Sequence, residues 1–118
     1  MSGQAAQEAA SGGMVPGETA QGAAPLVNAV GLHARPSVKL TQLARTFPCS
    51  IEIALSPEGP WVDAKSTVKV MRVNAPCGAT VHVRSAGAEA RAAAGAVLSL
   101  IREGFGEAAE RSRGAARG

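Results

Sequence analysis

The chain has 118 residues, a net charge of +3, one Trp, two Phe and no Tyr. That fits one small domain with an aliphatic core of Val, Leu, Ile and Ala, which must be efficient because small domains bury less of their surface. Residues 25–107 hold nine bases against six acids, a balance too mild, with too few aromatic platforms, for a nucleic-acid surface, and no apolar run approaches the ~20 residues of a membrane span.

Residues 1–24 are rich in Ala, Gly, Gln, Ser and Glu, with Glu8 and Glu18 and no base. They lack the basic start and apolar run of a signal peptide, so the expected compartment is the cytoplasm. So little apolar bulk cannot offset ordering entropy, which predicts a disordered N-terminal extension over 1–24. The same composition fits a translation start placed too far upstream.

Leu26-Val27-Asn28-Ala29-Val30 reads as a short strand running into Gly31. The following Gly31-Leu32-His33-Ala34-Arg35-Pro36 concentrates chemistry in six residues. Pro is favoured in the first turn of a helix, where its missing N–H costs nothing. His33 is therefore expected at or just before a helix N-terminus, where free N–H groups and a partial positive charge form an anion site. Arg35 adds a planar cation suited to phosphate, and Gly31 permits a sharp turn. The hexapeptide fits a site that takes and gives a phosphoryl group. It also fits a plain helix cap or a solvated side chain.

A first helix is expected over about Pro36 to Phe47, with Leu40, Leu43, Ala44 and Phe47 on one face and Pro48 ending it. Cys49-Ser50-Ile51-Glu52-Ile53-Ala54-Leu55 alternates with period two, a half-buried strand with Cys49, Ile51, Ile53 and Leu55 facing one way. Ser56 to Pro60 is a turn cluster, and Trp61-Val62-Asp63-Ala64 a returning strand. Lys65 to Met71 is a short helix capped by Ser66, although its β-branched residues are poor helix formers. Asn74 to Gly78 is a turn. Ala79 to Ser85 alternates again, with Val81 and Val83 on one face and Thr80, His82 and Arg84 on the other. From Gly87 the longest helix runs to Glu103 or Gly104. Its apolar stripe is Ala90, Ala94, Val97, Leu98, Ile101 and Phe105, and Gly95 within it points to close helix packing. Residues 108–118 are expected to form a flexible basic tail.

The two cysteines, Cys49 and Cys77, have no metal-ligand spacing, and a reducing cytosol leaves them as free thiols, Cys49 packed as a small apolar residue. His33 and His82 lack a third metal ligand at a recognisable spacing. Arg35, Lys65, Lys69 and Arg72 would make a basic patch for an acidic protein partner. The order βαββαβα predicts an α+β open-faced β-sandwich: a four-stranded antiparallel sheet covered on one face by helices.

That order, with Gly-Leu-His-Ala-Arg-Pro after the first strand, resembles the histidine-containing phosphocarrier (HPr) family of the bacterial phosphotransferase system. Lys65-Ser66-Thr67-Val68-Lys69-Val70-Met71 is similar to the family's regulatory-serine segment, and Glu103-Gly104-Phe105-Gly106-Glu107 to its usual ending. The resemblance covers about residues 25–107, the expected phosphocarrier domain. It implies that His33 accepts a phosphoryl group on Nδ1 from phosphorylated enzyme I and passes it to a histidine of a sugar-specific EIIA-type component, with Arg35 steadying the phosphate. The phosphoryl group would derive from phosphoenolpyruvate, with no cofactor and no metal, in a monomeric carrier rather than a turnover enzyme. The resemblance places Ser66 where regulatory kinases act in some members. Val68, Met71 and Lys65 would form the docking surface, and Gly31 and Pro36 the turn and helix start. An HPr kinase/phosphorylase or a transcriptional regulator are further implied partners; nucleic acid and membrane are not. Thr67 stands where a larger aliphatic is common and Lys69 where glycine is usual. The alternatives are a regulatory binding module, whose phosphorylation on His33 or Ser66 signals without sugar transport, and an interaction domain with an inert His33.

Overall fold

In a computed structural model describing residues 18–106, the first strand is made of small residues. β1 runs from Thr19 to Pro25. It is followed by α1 (Ala34–Ala44), β2 (Ser50–Ala54), β3 (Val62–Asp63), α2 (Thr67–Val73), β4 (Thr80–Ala86) and α3 (Ala90–Arg102), with a closing 3-10 turn at Gly104–Gly106. The strands form one antiparallel sheet in the order β1-β4-β2-β3. The fold is the open-faced α+β sandwich that the order of elements predicts.

Register puts the apolar residues on one face. Gly22 and Ile53 both lie opposite Val83, and Ala24 lies opposite Val81. Ile51, Ile53, Val81 and Val83 are buried with Leu40 and Ala44 of α1, Val70 of α2 and Val97 and Ile101 of α3. Burial of each such large aliphatic contributes about 1.5–3 kcal/mol against ordering entropy. The other face carries Gln21, Glu52, His82 and Arg84. There the Arg84 Nε donates to the Glu52 carboxylate at 2.7 Å, and the guanidinium lies 4.1 Å from the centre of the Trp61 ring.

The first strand corrects two expectations. It lies upstream of Leu26–Val30, and it takes in residues 19–24 of the expected extension; residues 1–17 lie outside the described residues, as does the tail over 108–118. Large aliphatics normally mark a strand, but α3 packs directly over β1 and leaves room only for small side chains. A Cβ on Gly22 would sit 2.6 Å from Leu98 Cδ1. Leu26 is buried in the loop that follows, whereas Val27 and Val30 are exposed.

Other boundaries shift by a few residues. α1 begins two residues before Pro36 and stops at Ala44, leaving Phe47 beyond it. Leu55 falls outside β2 and is exposed. The helix expected from Lys65 begins at Thr67, and the one expected from Gly87 begins at Ala90. Gly95 is exposed, and a Cβ there would meet nothing within 4 Å, so close packing is not its explanation. Cys49 is buried and Cys77 exposed, both as free thiols. Among the described residues no helix is long and apolar enough to cross a membrane.

Candidate functional site

The turn before His33 is fixed by backbone geometry. Gly31 has φ +67, and a Cβ on it would run into the carbonyl oxygen of Ala75. Only glycine tolerates both the left-handed backbone and the close approach. The Gly31 N–H donates to the Asn28 carbonyl at 3.1 Å, and Asn28 Nδ2 donates back to the Gly31 carbonyl at 2.8 Å. The Leu32 N–H donates to Ala75 O at 2.9 Å, the Leu32 side chain is buried, and the Ser37 hydroxyl donates to Leu32 O at 3.3 Å.

His33 is the N-cap of α1, in extended backbone (φ −83, ψ −170), and its side chain makes no capping hydrogen bond. Its carbonyl accepts from the Ser37 N–H at 2.9 Å, and its imidazole belongs to an exposed residue. Pro36 is the third helical residue rather than the first. It still falls in the opening turn, where N–H groups have no intrahelical acceptor. The amides of Ala34 and Arg35 therefore remain as donors beside the imidazole. The first turn holds no acidic side chain, so nothing there cancels the positive end of the helix dipole. Arg35 is exposed, and its guanidinium has no ion-pair partner among the described residues.

Two tethers show how α1 and α2 run. At one end Leu32, just before α1, bonds Ala75, just after α2. At the other, Arg45 Nε, at the end of α1, donates to Lys65 O before α2 at 3.0 Å. The helices are therefore antiparallel, with His33 and Ser66 at opposite ends of the pair. Lys65 Nζ donates to Phe47 O at 2.8 Å, so Lys65 braces the same junction. Ser66 is the N-cap of α2, accepting from the Lys69 N–H at 3.3 Å. Between Ser66 and Ala75, α2 leaves Val68 and Met71 open, 59% and 41% exposed, and α1 leaves Val38 open. The expected basic patch is spread out: Arg35 and Lys65 stand at opposite ends of the helix pair, while Lys69 and Arg72 lie on the β3 side of α2.

Two supports of the site escaped the sequence. Asn28 is 3% exposed and clamps the Gly31 turn; the spacing of an Asn three residues before a Gly was a turn signal. Lys39 Nζ reaches from α1 to Phe105 O at 2.7 Å, which ties the closing turn to the helix that starts at His33. No local pattern announces a contact across 66 residues.

Comparison with known proteins covers the same segment. The family model described as "PTS HPr component phosphorylation site" matches residues 21–103. Phosphocarrier protein HPr of Cupriavidus necator is 44% identical over 82 residues, 70% of this chain and 90% of that protein. Phosphocarrier protein HPr of Pseudomonas aeruginosa is 34% identical over the same shares. The crystal structure of HPr-C-His from Thermoanaerobacter tengcongensis superposes with a TM-score of 0.68 at 29% identity, covering 74% of this chain and 96% of that one. With His33 at the start of α1 on an HPr-type sheet, and a match over most of its length, the chain belongs to the HPr phosphocarrier family of the phosphotransferase system.

Proposed function

We propose that His33 is the phosphoryl acceptor and donor of this carrier, loaded by phosphorylated enzyme I and unloaded to a histidine of a sugar-specific EIIA-type component. The observation that carries the reading is the uncommitted imidazole at the N-cap of α1. On loading, the Nδ1 lone pair attacks phosphorus and the donor's bond to phosphorus breaks. On unloading, the recipient imidazole attacks and the Nδ1–P bond breaks. The Ala34 and Arg35 amides and the Arg35 guanidinium meet the phosphate oxygens in each direction. An exposed site at a helix end holds the dianion without enclosing it, which suits a group that must leave. Val68, Met71 and Val38 supply apolar contact for both partners.

A second reading rests on Ser66, whose hydroxyl caps α2. A phosphate there adds about −1.5 to −2 charge at a helix start, which favours the helix and repels acidic partners. Because Ser66 is remote from His33, the modification would act on docking rather than on the chemistry, and so regulate the carrier.

Labelling with phosphoenolpyruvate and enzyme I tests the first reading. Acid-labile label on the wild type that is absent from His33→Ala is the expected result. Label that persists in the variant overturns it, and acid-stable label points to a hydroxyl such as that of Ser66.

A further inference from the structure

On the β3 side of α2, two adjoining depressions share Val62, Lys69 and Arg72. The first is closed by Leu55, Pro60 and Val73. The second continues past Trp61 toward Glu52 and Asp63. Together they form a groove between α2 and the β2–β3 hairpin. Lys69 and Arg72 stand at i and i+3, one residue round the helix (about 100°) from the exposed pair Val68 and Met71. The groove therefore flanks the face assigned to phosphotransfer partners but is not part of it.

We propose that this groove docks an acidic segment of a partner protein that inserts one apolar anchor. Charge selects the occupant. The Lys69 ammonium and Arg72 guanidinium have no ion-pair partner among the described residues, and they are the only charged groups lining the apolar depression. Glu52, at the other end, is held by Arg84 at 2.7 Å, and the Asp63 carboxylate accepts the Lys65 N–H at 2.9 Å. That amide leaves Asp63 its charge, but both carboxylates line only the second of the two depressions, so the charge beside the apolar floor is positive. The floor itself is ready-made: Leu55 is 41% exposed, and Arg84 stacks on Trp61 and holds the ring in place. A preset aromatic wall and an arginine rim lower the ordering cost of binding and are typical of binding hot spots.

Trp61 is the chain's single tryptophan, so its fluorescence reports the groove directly. The probe is the capped peptide acetyl-Asp-Glu-Leu-Phe-Glu-Asp-amide, titrated into the full-length, unphosphorylated protein at low salt. Loading of His33 plays no part, so failure here is separable from failure of the phosphocarrier reading. The expected result is a saturable fluorescence change, weakened at least about tenfold by Lys69→Glu combined with Arg72→Glu and by Leu55→Ser. Amide NMR shifts should fall on residues 55–63 and 69–73 and leave Leu32 and His33 unmoved. Four results would overturn the proposal: no saturable change, equal binding of a peptide with Gly-Ser replacing Leu-Phe, binding undiminished in the charge-reversed variant, or shifts centred on Val68 and His33. A fluorescence change that follows protein concentration without peptide would give the groove to a second copy and likewise overturn it.

Discussion

The backbone N–H of Leu32 donates to the carbonyl oxygen of Ala75 at 2.9 Å, fastening the residue before His33 to the chain just past α2. Asn74, between α2 and Ala75, sits in the left-handed region at φ 52, which turns the chain so that the Ala75 carbonyl faces the Gly31 loop. The N-terminus of α1 is therefore positioned by the C-terminus of α2. A sequence change in either turn is felt at the imidazole through backbone alone.

Gly31→Ala should damage both fold and activity. The left-handed backbone costs an L-residue about 1–2 kcal/mol, and the new Cβ must displace Ala75 O, loosening a hydrogen bond whose net contribution is about 1 kcal/mol. Chemical denaturation should show a loss of about 2–3 kcal/mol in total, and phosphotransfer should fall even at temperatures where the variant is folded. A variant of wild-type stability would mean that the Ala75 contact does not hold the loop.

Arg35→Ala should separate chemistry from stability. The side chain is exposed and unpaired among the described residues, so stability should change by no more than about 0.5 kcal/mol. Removing one cation from the phosphate should slow transfer by about 10–100-fold. Rapid-quench measurement of phosphoryl transfer from enzyme I tests this, and an unchanged rate would remove Arg35 from the site.

How much of this was legible beforehand depended on the range of the interactions. The alternation of Ile51 and Ile53 and of Val81 and Val83 marked two strands, because period-two burial is local. The Gly31-to-Pro36 run marked the start of α1, because capping and turn chemistry are local too. β1 was misplaced because its residues are small in response to α3, a partner about 75 positions away. The Leu32–Ala75, Arg45–Lys65 and Lys39–Phe105 tethers are likewise contacts between distant segments. Ser66 was legible locally as the cap of α2; family resemblance added the regulatory reading, and the structure adds that it lies at the opposite end of the helix pair from His33.

Ser66 variants should divide capping from charge. Ser66→Ala removes the acceptor for the Lys69 N–H and should cost about 0.5–1 kcal/mol. Ser66→Asp keeps a capping oxygen and adds charge where the helix dipole favours it, so stability should hold or rise by about 0.3–1 kcal/mol. Affinity of Ser66→Asp for enzyme I should nevertheless fall, with about tenfold corresponding to about 1.4 kcal/mol. Calorimetric titration against enzyme I reads this, and equal affinity for wild type and Ser66→Asp would end the regulatory reading.

Two glycines on facing elements should respond in opposite directions. Gly95 lies in α3 at an exposed position with open space around its missing Cβ, and its helical backbone suits any residue. Gly95→Ala should therefore stabilise the protein by about 1 kcal/mol, the difference in helix propensity. Gly22 lies in β1 beneath the same helix, where even a Cβ meets Leu98 at 2.6 Å. Alanine there could be met by a shift of the Leu98 tip, but the branched side chain of Gly22→Val leaves Leu98 no place and should cost about 1–3 kcal/mol through overpacking. Urea midpoints should move up for Gly95→Ala and down for Gly22→Val. Because β1 was the strand hidden from the sequence, the second result also tests its placement: if β1 did not lie under α3, valine would raise strand propensity and the midpoint would not fall.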